Sequence, residues 1–113
     1  MKLLVIILNK MEVFEELLTE LQENDLHGTI LQSSGMAHTL YEMGHGEDLF
    51  LKPLRLNHTP ERQESRTILM LTKDEEMIQN AHDILDDVVG GIDNPETAIM
   101  FTCPIDYIAG LKL

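Results

Sequence analysis

The sequence predicts an α+β domain in which one β-α-β unit is used twice, and three observations carry that prediction. First, a strand-cap-helix phrase is written twice, 63 residues apart: Val5-Ile6-Ile7-Leu8-Asn9-Lys10-Met11-Glu12 recurs as Ile68-Leu69-Met70-Leu71-Thr72-Lys73-Asp74-Glu75. Asn9 or Thr72 can accept a hydrogen bond from a first-turn amide, and Glu12 or Glu75, three positions on, can reach back to the amide of the cap residue. Second, each phrase runs into apolar residues at helical spacing. Third, each helix is followed by turn residues, Asn24-Asp25 and Gly28 in one half and Gly90-Gly91 and Asn94-Pro95 in the other, and then by a further apolar run.

Taken in order, residues 2 to 8 read as a central strand because they are apolar at consecutive positions. A helix from about 11 to 24 puts Met11, Phe14, Leu17, Leu18 and Leu21 on one face and Glu12, Glu15, Glu16, Glu20 and Glu23 on the other. Thr29 to Ser33 reads as the second strand and Thr67 to Leu71 as the third. A helix from 74 to 89 buries Met77, Ile78, Ala81, Ile84, Leu85, Val88 and Val89, and Gly90-Gly91 ends it as a left-handed C-cap requires. Thr97 to Cys103 is the last strand. The βαββαβ order is ferredoxin-like: a four-stranded antiparallel sheet with two helices on one face, in a single domain spanning 1–113. The runs of consecutive apolar residues also imply that the second face of the sheet is covered, and self-association is the economical way to cover it.

Composition narrows function by exclusion. A net charge of −12 argues against nucleic acid and anionic membranes as partners. No apolar run approaches the roughly 20 residues needed to span a bilayer, so no membrane insertion is expected, and Leu3 to Leu8 is too short for a secretory core. Cys103 is the only cysteine, which excludes an intrachain disulfide, suits a reducing cytoplasm and reads as packing. Lys52, Arg55, Arg62 and Arg66 are half of all Lys and Arg, and they make 52–66 locally basic in an acidic chain.

Between the halves lies a long loop, 34–65, expected to be flexible, with Gly35, Gly44, Gly46, Pro53 and Pro60 and no strong periodicity. A segment of that length in a small domain is usually functional. No nucleophile set, Walker loop or carboxylate pair in a recognisable context occurs, so the chain reads as a non-enzyme. Acylphosphatases share the fold order, but their phosphate turn after the first strand is replaced here by Asn9-Lys10-Met11. Of five histidines, none are spaced i, i+4 as in a helical zinc site. His38, His45 and His58 share the insert and form the alternative, a divalent-metal site assembled between subunits as in CutA-like trimers.

The opening Met1-Lys2 strand, Gly28, Gly35 at the base of the loop, Lys73-Asp74-Glu75 and Pro104-Ile105-Asp106 give a chain that resembles the nitrogen-regulatory P-II signalling family over nearly its whole length. The resemblance implies a cytoplasmic homotrimer whose sheets line its interior. It also implies a small-molecule effector bound in clefts between subunits, and a 36–64 loop that docks on a target protein. The ligand would lie against Gly35, Met36, Ala37, His38 and Thr39, with Gly90 and Gly91 offering backbone amides and Lys112 coming from a neighbouring tail. The family grips adenine nucleotide with a Gly-x-Gly, basic residue and Gln at the loop base, a Lys after the second helix and arginines in the tail. Here the loop base is Gly35-Met36-Ala37-His38-Thr39, the turn after the helix carries Asp93 and Glu96 instead of Lys, and the tail offers Lys112. The usual ATP site is thus degraded, and a different effector is expected.

Overall fold

Lys2–Leu8 (β1) is the centre of the molecule because its apolar residues have partners on both sides. In the computed structural model, which describes residues 1–45 and 64–111 (the side chains of Tyr41 and His45 excepted), β1 pairs antiparallel with Glu64–Thr72 (β3) and with Ala98–Pro104 (β4). Thr29–Ser34 (β2) closes the outer side of β3, giving the order β2-β3-β1-β4. The ferredoxin-like α+β expectation is met. Two helices, Phe14–Glu23 (α1) and Glu75–Val89 (α3), pack on one side. Between them in sequence, Met36–Leu40 (α2) continues into a helical turn at Tyr41–His45. Those ten residues lie where the sequence suggests loop; 46–63 and 112–113 fall outside the described residues.

Opposed residues in an antiparallel ladder share a face, so the register sorts the side chains. One row, Ile30, Ile68, Ile6 and Met100, points to the helices. Ile68, Ile6 and Met100 join Leu4, Leu8 and Met70 and meet Leu17, Leu21, Leu26, Ala81, Leu85, Val88 and Val89 in a single core, while Ile30, at the outer strand, is 43% exposed. Leu4, Ile6, Leu8, Leu17, Ala81 and Leu85 are fully excluded from water. The helix stripes read from the sequence therefore do face inward, with Ile78 only half-buried outside this cluster.

The opposite face carries the rows Leu31–Thr67–Ile7–Ile99 and Thr29–Leu69–Val5–Phe101, then Leu71–Leu3–Cys103. It is open. Ile99 is 54% exposed, Phe101 44% and Leu31 46%, while Leu3 and Ile7 are half-buried and Val5 is buried. Burial of β1 on both faces is thus incomplete within one chain. Cys103 stands exposed on this face rather than packed inside.

Both expected caps are corrected. Asp74, not Thr72, caps α3, its carboxylate accepting from the Met77 amide at 2.9 Å. The Thr72 hydroxyl donates instead to the Lys2 carbonyl across the β1–β3 ladder. Asn9 caps nothing: a short 3₁₀ turn, Met11–Val13, intervenes before α1, and neither it nor α1 has a side-chain cap bond. Asn9 instead donates its amide to the Thr97 carbonyl at 2.9 Å, as Lys10 does at 3.0 Å. The repeat is one of strand and helix, with different joints.

Gly28 enters β2 under close constraint. A Cβ there would lie 2.7 Å from both the Leu69 carbonyl oxygen and Met70 Cγ. The backbone of the β2 entry passes too near β3 for any side chain.

Candidate functional site

Four chain segments end at one edge of the sheet: the exit of β1, the exit of β2, the C-terminus of α3 and the turn that starts β4. Between them is a cleft of about 570 Å³ lined by Asn9, Lys10, Glu12, Gly35, Val89, Gly90, Asn94, Pro95, Glu96 and Thr97. Ser34 pairs with Glu64 at this same end, so the central segment of the chain leaves and re-enters the sheet beside the cleft. This is the volume expected of a small-molecule site.

Each wall has a local cause. Gly90 terminates α3 with φ 77, and its amide donates to the Asp87 carbonyl; the Gly91 amide donates to the Asp86 carbonyl at 2.8 Å. The Asp86 carboxylate accepts from the Ile92 amide, and Asn94 Nδ2 donates to the Gly90 carbonyl at 2.7 Å. Thr97, buried, donates its hydroxyl to the Ile92 and Asn94 carbonyls. Glu96 has φ 59, a left-handed backbone that disfavours a residue with a side chain. Lys10 reaches across the cleft wall, its Nζ donating to the Val89 carbonyl at 3.1 Å. A lysine here satisfies one of the last carbonyls of α3 and opposes the negative end of the helix dipole.

The structure gathers only part of the sequence-derived set. Gly35 and Gly90 line one cleft. The Gly90 and Gly91 amides both donate to α3 carbonyls. Met36 is 80% exposed and Thr39 is exposed, while Ala37 is half-buried; none of the three lines the cleft. His38 points elsewhere. It is buried, with Nε2 3.0 Å from Glu42 Oε1 one helical turn on, in a smaller polar hollow with Gln32, Ser33, Ser34, Glu64 and Arg66. Beside it, Ser33 and Ser65 share a 2.7 Å hydroxyl contact and Thr67 donates to Ser33, while the Arg66 guanidinium lies 5.9 Å from the Phe14 ring centre.

Lys112 and His58 lie outside the described residues, as does the side chain of His45. Among the described residues no three His, Cys, Asp or Glu side chains gather as a metal site. Lys10, Glu12, Asn94 and Glu96 are cleft residues that sequence reasoning missed. Lys10 and Glu12 were visible in the repeated phrase but read there as part of a helix cap. The sequence places Glu96 with Asp93 in an acidic turn that repels an anion, without assigning it to a site. Elsewhere, Asp83 accepts hydrogen bonds from His82 and Gln79, which hold its carboxyl below the usual range, on the exposed side of α3.

No family model matches the chain, and no curated protein is found similar to it. A solved structure, the crystal structure of a functionally unknown protein from Pediococcus pentosaceus ATCC 25745, is similar over 97% of this chain and 96% of that one. Its TM-score is 0.57 at 15% sequence identity. That likeness shows the fold alone. No described helix is long and apolar enough to cross a membrane.

Proposed function

We propose that the chain is a non-enzymatic regulatory protein of P-II-like type, a homotrimer that binds a small effector in its inter-subunit clefts and signals to a target protein through residues 36–64. The observation that carries this reading is the cleft at the sheet edge. It holds Gly35 and Gly90 in one wall system and sits beside the paired ends of the signalling segment, Ser34 and Glu64. A ligand there would touch the residue that immediately precedes α2, so occupancy would bias the arrangement of 36–45 through differential contact. The second sheet face supports the trimer, since an apolar surface of Leu31, Ile99, Phe101 and Leu71 exposed in one chain marks an association surface.

The test is sedimentation velocity with calorimetric titration of nucleotides and central metabolites, followed by hydrogen exchange over residues 36–45 with and without the ligand found. A trimeric species, saturable binding and altered exchange in 36–45 are expected. A monomer at micromolar concentration, or binding that leaves exchange in 36–45 unchanged, removes the mechanism.

A further inference from the structure

We infer that the outer edge of β2 is a strand-addition site, and that its occupant is β4 of a second copy of this chain. The inference rests on the trimer proposed above and names the seam that joins its subunits.

β2 is the least covered strand of the sheet. Among the described residues it pairs with β3 alone, as β4 pairs with β1 alone, so one side of each backbone faces outward. Every residue of β2 except Ser33 is exposed. Ile30, on the helix side, is 43% exposed, and Leu31, on the open side, is 46% exposed. Beside Ile30 a hollow of about 200 Å³ lies between α1 and the sheet, with Leu18, Leu26 and Met70 in its walls. A strand bare on both faces and along one edge is a template for another strand.

Charge then selects the occupant. Of the whole chain 25% is charged, with a net charge of −12, yet neither Thr29–Ser34 nor Ala98–Pro104 contains a charged residue. Both ladders run without a bulge, and the one proline of the two strands is the last residue of β4. The usual devices against edge pairing are missing from both edges, and two copies meet there with no acid facing acid. Topology fixes which edges meet. A three-fold ring is closed by head-to-tail contacts, which excludes β2 on β2 and β4 on β4. Three antiparallel steps, from β2 to β3 to β1 to β4, leave β2 and β4 running in opposite directions. The second copy's β4, laid beside β2 with the open faces on one side, is therefore antiparallel to it. Ile99 and Phe101 then extend the open face, while Met100 falls on the side of Ile30 and the hollow.

The experiment is residue-resolved hydrogen exchange of the full chain, with sedimentation velocity of wild type and Ile30→Glu. Only alternate amides of an edge strand bond to its inner neighbour, so the outward amides of β2 and β4 are the readout. Both sets are expected to exchange at least about tenfold more slowly in wild type than in an unstructured peptide. Ile30→Glu is expected to restore fast exchange and to sediment as a monomer. Ile30 lies on the helix side and outside the core cluster, so its substitution leaves the open face intact, and an assembly held by that face alone would not respond. The wild-type exchange decides the seam even where the variant does not fold. A wild-type trimer whose outward β2 or β4 amides exchange freely overturns the seam and leaves the trimer standing. A wild-type monomer overturns both, and protected β2 amides in that monomer would assign the edge to the chain's own residues.

Discussion

Gly28 shows how little freedom a single position has where two strands converge. Its missing side chain lets the backbone pass within 2.7 Å, measured from an ideal Cβ, of the Leu69 carbonyl and of Met70 Cγ. Met70 belongs to the core and could yield only by disturbing it. Gly28→Ala is therefore expected to lower stability by about 1–3 kcal/mol, the usual cost of overpacking, seen as a lower urea midpoint with unchanged slope. A variant as stable as wild type would mean that the β2 entry can move away freely. Lys10 is a residue of a different kind. Its hydrogen bond to the Val89 carbonyl joins the exit of β1 to the end of α3 and brings an ammonium to the cleft lining.

Helix α3 is held at both ends by side chains and turns that the sequence contains openly, though not in the order its repeat suggests. Asp74 has extended backbone angles and accepts from the Met77 amide, while Thr72, the last residue of β3, has its hydroxyl committed to the Lys2 carbonyl. Burial explains the choice: Thr72 is 1% exposed, and a residue still inside a strand cannot also turn its side chain onto a helix start two residues later. Asp74→Ala is expected to cost about 1 kcal/mol, measured by thermal unfolding, with a loss of helical signal confined to α3. Thr72→Val should leave the first-turn amides of α3 as protected from exchange as in wild type. At α2 the sequence suggests loop, being Gly-containing and aperiodic, yet Met36–Leu40 is helical and buries His38. A single short turn has too few residues for a hydrophobic period to register.

The whole molecule has a sheet with one finished face and one unfinished. Helices cover Ile68, Ile6 and Met100 and leave Ile30 partly open at the β2 edge, and the row Thr29–Leu69–Val5–Phe101 is left with Phe101 outward at the β4 edge. An exposed apolar face of this breadth is uncommon in a monomer. In the proposed trimer this face is the contact surface, and Phe101→Glu is then expected to split the assembly without unfolding the chain. Sedimentation should then report a lighter species, and circular dichroism a native spectrum. Retention of the same sedimentation coefficient would place the contact surface elsewhere. Cys103, exposed at the end of this face, would be shielded from thiol reagents in wild type and accessible in the variant, an independent readout of the same surface.

The chain order of strands and helices, the two helix stripes and most of the core are legible in the residues, because continuous apolar runs and a 3.6-residue period are written locally and burial follows them. Leu17, Leu21, Ala81 and Leu85 needed no fold to be assigned inward. The cleft was legible only in part. Gly35 and Gly90 could be paired in advance, but the occupancy of the Gly90 and Gly91 amides could not, since which carbonyl an amide meets depends on how the helix ends in space. Nor could Lys10 and Glu96 be brought together from positions so far apart in the chain. Local patterning settles which elements form; folding settles which of their polar groups remain free for a ligand.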